Sequence, residues 1–216
     1  MDLELTEEQR MLADSARAFV SEELLPHENE VEKQGEVPPD LGQQITRKAI
    51  EMGFYAANLP ESVGGGGLDY TSLAVIEREF GKVSHALNGF AWGPTELLMA
   101  CEGNQIERYL DPCVRAEKTE CFAITEPGAG PDILSMATRA EKVGNDWIIN
   151  GSKHFVSSHP AGFRHCFCSD WHRSNRSRSA KRVTAFLVDR GHRVLICTRT
   201  PLCQPACLSE LCTVFQ

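Results

Sequence analysis

The stretch Phe122-Ala123-Ile124-Thr125-Glu126-Pro127-Gly128-Ala129-Gly130-Pro131-Asp132 lies where the spacing of apolar residues changes along the chain. Before it, apolar residues recur every three to four positions, which is typical of helices. From Glu120 onward, short apolar runs alternate with turns rich in glycine, proline and asparagine, which is typical of strands. The change predicts a helical domain over residues 1–117, followed by a β domain over residues 118–216.

The N-terminal side is predicted to form five helices. Thr6 and Gln9 form a capping box for the first helix, and Pro26 is expected to end it. A second helix over about 41–52 is expected to close with Gly53 in the left-handed position that follows a helix. Without any strand alternation, this pattern indicates an α-helical bundle. The other three helices are expected at about 71–80, 95–102 and 104–116.

The C-terminal side is predicted to begin with antiparallel strands joined by tight turns. Strands at about 138–143 and 147–149 flank Gly144-Asn145-Asp146, which is a hairpin signal. Asn150-Gly151 is expected to form a second tight turn that leads into a strand at 153–157. The region is therefore predicted to form an antiparallel β meander.

Composition places the chain among ordinary globular proteins. It has 216 residues, of which 42% are hydrophobic and 24% charged, enough to bury a sizeable core. No stretch approaches the roughly 20 apolar residues of a transmembrane helix. The acidic start lacks the basic n-region of a signal peptide. We therefore expect a soluble protein in the cytoplasm, or in the mitochondrial matrix if the source is eukaryotic.

Charge and cysteine are distributed unevenly. Residues 1–157 contain 13 basic and 27 acidic residues, whereas residues 158–216 contain 9 basic and 3 acidic ones. Six of the nine cysteines also lie in 158–216. Two interpretations fit: a basic, thiol-rich functional tail, or a segment with a different coding history. The odd number of cysteines argues against a disulfide framework.

Two glycine-rich stretches resemble nucleotide-binding loops only superficially. Gly64–Gly67 is followed by Leu68-Asp69, where a P-loop needs a lysine and a hydroxyl residue. Gly128 and Gly130 are followed by Ile133, where a Rossmann fingerprint needs its third glycine. Both stretches are predicted to be turns, and neither nucleotide-binding fold is expected.

The quoted stretch resembles the signature of the acyl-CoA dehydrogenase family, usually Thr-Glu-Pro-x-x-Gly-Ser-Asp. Pro60–Gly65 resembles the family's Pro-Glu-x-Tyr-Gly-Gly loop, and Arg108–Lys118 resembles the segment that leads into its β domain. Asn150–Ser157 resembles its Asn-Gly-x-Lys-x-Trp-Ile-Thr strand. The resemblance runs continuously over residues 1–157. It implies an α+β fold, with an N-terminal α-helical bundle domain followed by an incomplete antiparallel β-barrel domain.

The resemblance also implies a reaction. Members of this family bind FAD and remove the α and β hydrogens of an acyl-CoA thioester. A glutamate takes the α proton, and the β hydrogen leaves as hydride to the flavin. The implied protein is a FAD-dependent oxidoreductase of CH–CH bonds in fatty acid metabolism, with acyl-CoA as substrate and electron-transfer flavoprotein as acceptor. No metal, nucleic acid or membrane partner is implied.

Seven residues are implied to bind the cofactor when the family's positions are carried over one by one. The Thr125 hydroxyl would lie near the reactive edge of the isoalloxazine ring. Phe155 matches a tryptophan stacked by the flavin, and Ser157 matches a threonine. The full set is Phe122, Ile124, Thr125, Gly130, Pro131, Phe155 and Ser157.

The same resemblance places the catalytic glutamate in a C-terminal helical domain, beyond residue 216. Glu120 and Glu126 do not match that base. We therefore expect no catalytic residue in this chain, and no activity from it alone. Most of the family's oligomer contacts lie in the same domain, so the homo-oligomer is implied for the family rather than for this chain.

The family pattern changes after Ser157. It is lost over 158–180, returns over 181–191 and fades from His192 onward, so no strand is expected in 158–179. A shifted reading frame is one hypothesis. The alternative is a non-catalytic helical interaction domain whose basic, Cys- and His-rich tail binds zinc or nucleic acid. Its candidate residues are His165, Cys166, Cys168, His172, Cys203, Cys207 and Cys212 for zinc, and Arg173, Arg176, Arg178, Lys181 and Arg182 for phosphate.

Pro131 stands where the family has a serine, and it provides neither a hydroxyl nor a backbone N–H. We predict that Pro131→Ser strengthens FAD retention, because it restores the two donors that the family resemblance places near the flavin phosphates. FAD affinity measured on the two proteins checks this, and an unchanged affinity would count against it.

Overall fold

Helices occupy the first unit of the chain and strands occupy the second. The computed structural model describes residues 4–144, 146–157, 163–170, 182–189, 195–200 and 209–214. Residues up to Glu117 belong to the first unit, and the second begins at Lys118. The first is helical and the second is built from strands, which confirms the predicted α+β class.

The described residues of the first unit form six α-helices. The capping box is confirmed, since Thr6 Oγ1 accepts from the Gln9 N–H at 3.2 Å and Gln9 Oε1 accepts from the Thr6 N–H at 3.1 Å. Gly53 follows the third helix in the left-handed region, with φ 75°, as expected. Among the described residues, no helix has both the length and the apolar character to cross a membrane. The helices are α1 (Glu7–Phe19), α2 (Leu25–Gln34), α3 (Pro39–Glu51), α4 (Tyr70–Phe80), α5 (His85–Ala91) and α6 (Asp111–Val114).

Pro26 does not end the first helical run, contrary to the prediction. A π-helical turn, Val20–Leu24, ends α1, and α2 begins directly after it with Pro26 in its first turn. The missing N–H is harmless there, because the first N–H groups of a helix have no partner inside it. The run ends instead at Gly35, whose φ is 76°.

Two of the other predicted helices are irregular, and one helix was not predicted. The segment at 95–102 contains a 3₁₀ turn, Glu96–Ala100, and the segment at 104–116 contains a π turn followed by α6. The unpredicted α5 is anchored from α2, since Glu28 accepts from the Ser84 N–H at 2.6 Å. This long-range contact leaves no local sequence signal.

The core of the helical unit is centred on three phenylalanines. Phe19, Phe54 and Phe80 are each at most 3% exposed. Their ring centroids lie 5.4 to 5.7 Å apart, in tilted, stacked and edge-on pairs. Such geometries are favoured between aromatic rings. This cluster therefore joins α1 and α4 to the segment that follows α3.

A buried carboxylate links the same two helices. Glu79 of α4 has a side chain that is 1% exposed. It accepts from Arg17 Nε of α1 at 3.2 Å, from Arg78 at 3.2 Å and from Lys82. The hydrogen bond from Lys82 lowers the Glu79 pKa; burial opposes this, and Arg17 adds to the lowering.

The glycine-rich turn of the helical unit is closed by its own backbone. The N–H groups of Gly65, Gly66 and Gly67 donate to the carbonyls of Pro60, Ala56 and Leu59, at 2.8 to 3.1 Å. A Cβ at Gly65 would lie 2.2 Å from the Leu59 carbonyl oxygen. Because these donors are already used, the turn offers no cradle for a phosphate group.

Within the described residues of the second unit, seven strands form a sheet. They pair in the order β1-β4-β2-β3-β7-β6, and β5 pairs with the other side of β4. Most pairs are antiparallel, but β4 runs parallel to β1 and to the start of β2. The strands are β1 (Glu120–Ala123), β2 (Arg139–Val143), β3 (Asp146–Ser157), β4 (Phe163–Asp170), β5 (Arg182–Asp189), β6 (Leu195–Thr200) and β7 (Ser209–Val214).

The predicted hairpin is confirmed, because β2 pairs with the first part of β3 around Gly144. The predicted turn at Asn150-Gly151 is wrong, since β3 runs straight through it. A Cβ at Gly151 would lie 2.2 Å from Thr138 Oγ1, so this glycine permits the close approach of two segments of the chain. The expectation of no strand in 158–179 is also wrong, because β4 occupies Phe163–Asp170.

We predict that Glu79→Gln lowers the free energy of unfolding near pH 7 by about 1–3 kcal/mol, the usual worth of hydrogen bonds to a charged group. Because the Glu79 pKa is lowered in the folded state, its contribution is present above the ordinary carboxyl pKa. It is lost as the pH falls through the folded-state pKa. The free energy of unfolding, measured with urea at several pH values, should therefore fall less steeply with decreasing pH for the variant than for the wild type. We call this acidic part of the pH profile the acid limb.

The exposed Glu77 of the same helix provides the control. Glu77→Gln should leave both the neutral stability and the acid limb as in the wild type. Equal acid limbs for the Glu79 and Glu77 variants would contradict the prediction.

Candidate functional site

The signature segment forms an exposed loop between β1 and β2. It starts with a tight turn in which the Glu126 N–H donates to the Ala129 carbonyl at 2.9 Å. A 3₁₀ turn, Ile133–Ser135, follows and is capped by Asp132, which accepts from the Leu134 N–H at 3.2 Å. The loop is thus shaped by its own turns, and most of residues 127–135 are exposed.

A buried ion pair joins this loop to β3. The side chains of Lys153 and Glu126 are 1% and 5% exposed, and their Nζ and Oε1 atoms lie 2.7 Å apart. Lys153 also donates to the Ile124 carbonyl at 2.9 Å. Glu126 accepts from the backbone N–H groups of Ala137 at 2.5 Å and Thr138 at 3.0 Å. Both charges are therefore compensated inside the unit.

The environment keeps Glu126 ionised. Burial acts to raise its pKa, but the hydrogen bonds from Lys153, Thr138 and Ala137 outweigh burial, and the net pKa is lowered. A carboxylate with a lowered pKa and its oxygens already bonded is a weak base. This side chain therefore anchors the loop and is unsuited to proton abstraction.

A β-bulge in β3 turns Phe155 outward. Lys153 pairs with Cys212 of β7 and Val156 with Glu210, so β3 uses one residue more than its partner between these points. Lys153 and Val156 therefore both point inward, while the Phe155 side chain is 61% exposed. Its φ of 55° is unusual for a bulky residue, and such strain is concentrated at functional sites.

The structure brings part of the expected cofactor set together. Ile124 and Thr125 are half-buried just after β1, and the Thr125 carbonyl accepts from the His154 N–H at 2.8 Å. These two residues thus lie beside β3 at the point where Phe155 is displayed. Phe122 is half-buried within β1, and the backbone of Ser157 pairs with Ser209 of β7.

Gly130 and Pro131 lie in the exposed part of the loop. A Cβ added at Gly128 or Gly130 would meet no heavy atom within 4 Å. The loop backbone is therefore open to solvent at these positions.

Glu126 and Lys153 were part of the quoted motifs, but no role was predicted for them. They lie 2.7 Å apart in space although they belong to separate motifs, so no short sequence pattern reveals their contact. The available signal was a lysine in a strand otherwise expected to bury apolar residues, together with a glutamate two residues after the apolar run Cys121–Ile124.

The proposed zinc and nucleic-acid residues lie outside the part of the chain whose side chains are described. Among the described residues, no three His, Cys, Asp or Glu side chains are grouped so that they could hold a metal ion.

We predict that Lys153→Met lowers the free energy of unfolding by about 3–5 kcal/mol, because it leaves a buried carboxylate without its counter-charge. The double variant Glu126→Gln/Lys153→Met should regain most of that loss, since no charge then remains buried alone. Urea unfolding of the three proteins measures both effects. The exposed Lys142 of β2 is the control, and equal losses for Lys142→Met and Lys153→Met would refute the prediction.

Comparison with known proteins covers both units. The sequence model of the acyl-CoA dehydrogenase N-terminal domain matches residues 6–117, and that of the acyl-CoA dehydrogenase middle domain matches residues 121–202. The chain is 34% identical over 195 residues to the caffeyl-CoA reductase-Etf complex subunit CarC of Acetobacterium woodii, covering 85% of this chain and 48% of that protein. It thus spans about half the length of the curated relatives it matches.

Solved structures share the fold. The acyl-CoA dehydrogenase from Geobacillus kaustophilus matches with a TM-score of 0.79 and 26% identity, covering 99% of this chain and 57% of that one. An acyl-CoA dehydrogenase from Bacillus anthracis, solved in complex with FAD, matches with a TM-score of 0.76 and 23% identity, covering 98% and 36%. The family models and the relatives agree: the chain belongs to the acyl-CoA dehydrogenase family.

Proposed function

We propose that this chain forms the helical domain and a large part of the flavin site of a FAD-dependent oxidoreductase. The enzyme would act on the α,β carbon–carbon bond of an acyl-CoA thioester. The observation that carries the proposal is the junction of the two signature motifs. There the backbone of Thr125 is bonded to β3 immediately before an aromatic residue, Phe155, that is held outward at positive φ.

The residues present fit a flavin. Phe155 offers an exposed flat apolar face, which suits an isoalloxazine ring. The open backbone around Gly128 and Gly130 allows close approach of a bulky polar group such as a diphosphate. Thr125 contributes a hydroxyl beside the same junction. When bound, FAD would supply the hydride acceptor, and these residues would orient its ring.

Glu126 is not the proposed proton-abstracting base. Glu126 is excluded from that role by its lowered pKa and its three hydrogen-bond donors. The helical unit and the flavin-facing residues would therefore bind and position the cofactor and the substrate. Proton removal requires a further carboxylate. We expect no thioester oxidation by this chain alone.

The substrate and the electron partner are proposed at the level of chemical class. The relative CarC is named a caffeyl-CoA reductase and a subunit of an Etf complex. We therefore propose an acyl-CoA thioester and an electron-transfer flavoprotein as partners of this enzyme. Because this relative is named for caffeyl-CoA, the proposed substrate is not restricted to fatty acyl-CoA thioesters. Fatty acid metabolism is therefore one case within the proposed class.

We predict that the chain binds FAD and that Phe155→Gly weakens this binding at least about tenfold, the worth of one lost aromatic stacking contact. Glycine also relieves the strain at φ 55°. The free energy of unfolding without FAD should therefore change by less than about 1 kcal/mol, because strain relief offsets the added chain entropy. FAD fluorescence quenching and urea unfolding measure the two quantities.

Phe155→Leu is the matched control, since it keeps the strain and removes only the ring. It should lose FAD affinity to a similar degree. Wild-type affinity in both variants, or no FAD binding by the wild-type chain, would refute the proposed flavin site.

A further inference from the structure

Lys153 and Glu126 form a buried ion pair at a place where two apolar side chains of similar volume could be at least as stable. The Lys153 side chain is 1% exposed and lies in β3 within the β unit. Replacing a buried ion pair by apolar residues of similar volume is often neutral or stabilising. Stability therefore does not explain the presence of the ion pair, whereas its geometry indicates a role.

The ion pair joins three segments of chain at one point. The Lys153 ammonium donates to the Ile124 carbonyl at 2.9 Å and to Glu126 Oε1 at 2.7 Å. The Glu126 carboxylate in turn accepts from the N–H groups of Ala137 and Thr138. The end of β1, the entry to β2 and the middle of β3 are thus held by two side chains.

This arrangement closes the signature loop at both ends. One carboxylate, at residue 126, holds the backbone at residues 137 and 138, so the intervening residues 127–136 form a closed loop. Nearly all of residues 127–135 are exposed, and Gly128 and Gly130 have open space around them. The position of the loop relative to β3 is therefore set mainly at its ends.

The residues after Lys153 extend the same junction. The His154 N–H donates to the Thr125 carbonyl at 2.8 Å, and the bulge then turns Phe155 outward. Thr125 is thereby fixed from two sides, since its neighbours Ile124 and Glu126 both accept from Lys153. A shift of Lys153 would move Thr125 and Phe155 relative to each other.

We propose that Lys153 is a positioning residue for the flavin: through Ile124 and Glu126 it holds the signature loop closed and sets Thr125 against Phe155. This inference rests on the proposed function, because it assigns the two positioned residues to the flavin. Lys153 itself touches no cofactor in this scheme. Its ammonium acts on the protein backbone and on one carboxylate.

The first test needs no flavin. Thermolysin cuts before exposed Ile133 and Leu134 if the loop opens. Lys153→Met should be cleaved there at least tenfold faster than wild type under native conditions. The control is Ile149→Ala, on the same strand as Lys153, which removes packing against Ala140 of β2 and leaves the ion pair intact. Equal cleavage of the two variants at matched stability would overturn the proposed clamp.

The second test separates positioning from simple stability. Glu126→Gln/Lys153→Met should recover resistance to urea but bind FAD at least tenfold more weakly than wild type. The visible absorption of its bound flavin should also be shifted. Ile149→Ala, although less stable, should keep the wild-type affinity and spectrum. A double variant with wild-type affinity and spectrum would show that Lys153 is merely structural.

Failure of this inference is distinct from failure of the proposed function. If the wild-type chain binds no FAD, the proposed flavin site is wrong, and the cleavage experiment still decides whether Lys153 closes the loop. If the wild type binds FAD and the double variant binds it equally well, the flavin site stands and the positioning role is wrong.

Discussion

The shape of the signature loop depends on a buried ion pair between Lys153 and Glu126. A buried charge without its partner would be strongly unfavourable, so replacing only one of the two side chains destabilises the protein. Because its partners are backbone atoms on both sides of the loop, at Ile124 before it and at Ala137 and Thr138 after it, the pair holds the two ends of the loop together. The pair thereby organises the place where the proposed cofactor would lie, rather than the bulk of the fold.

The helical unit uses a related device for a different purpose. Glu79 is as deeply buried as Lys153, but its partners Arg17, Arg78 and Lys82 are about half exposed. Water therefore shares the solvation of those cations, and the network adds to an aromatic core that already holds α1 and α4 together. In the β unit, both members of the pair are buried, and its geometry is correspondingly less tolerant of change.

Local signals in the sequence were sufficient where neighbouring residues decide the structure. The capping box at Thr6, the stop at Gly53 and the hairpin at Gly144 were all predicted, because each depends on contacts within a few residues. Pro26 and Asn150-Gly151 were misread because their neighbours in space decide their role: a π turn precedes the proline, and Thr138 crowds Gly151. The contact between Glu126 and Lys153 joins two distant motifs, and only the fold reveals it.

β3 has two different partners along its length. Its first residues pair with β2, the adjacent strand in sequence, while Gly151–Ser157 pair with β7, about sixty residues further on. The hairpin can therefore form early and locally, whereas the bulge that displays Phe155 gains its register only when a distant strand arrives. During synthesis, the helical unit and the hairpin would leave the ribosome before β7 exists. The register that holds Phe155 outward would therefore form only after β7 has been synthesised.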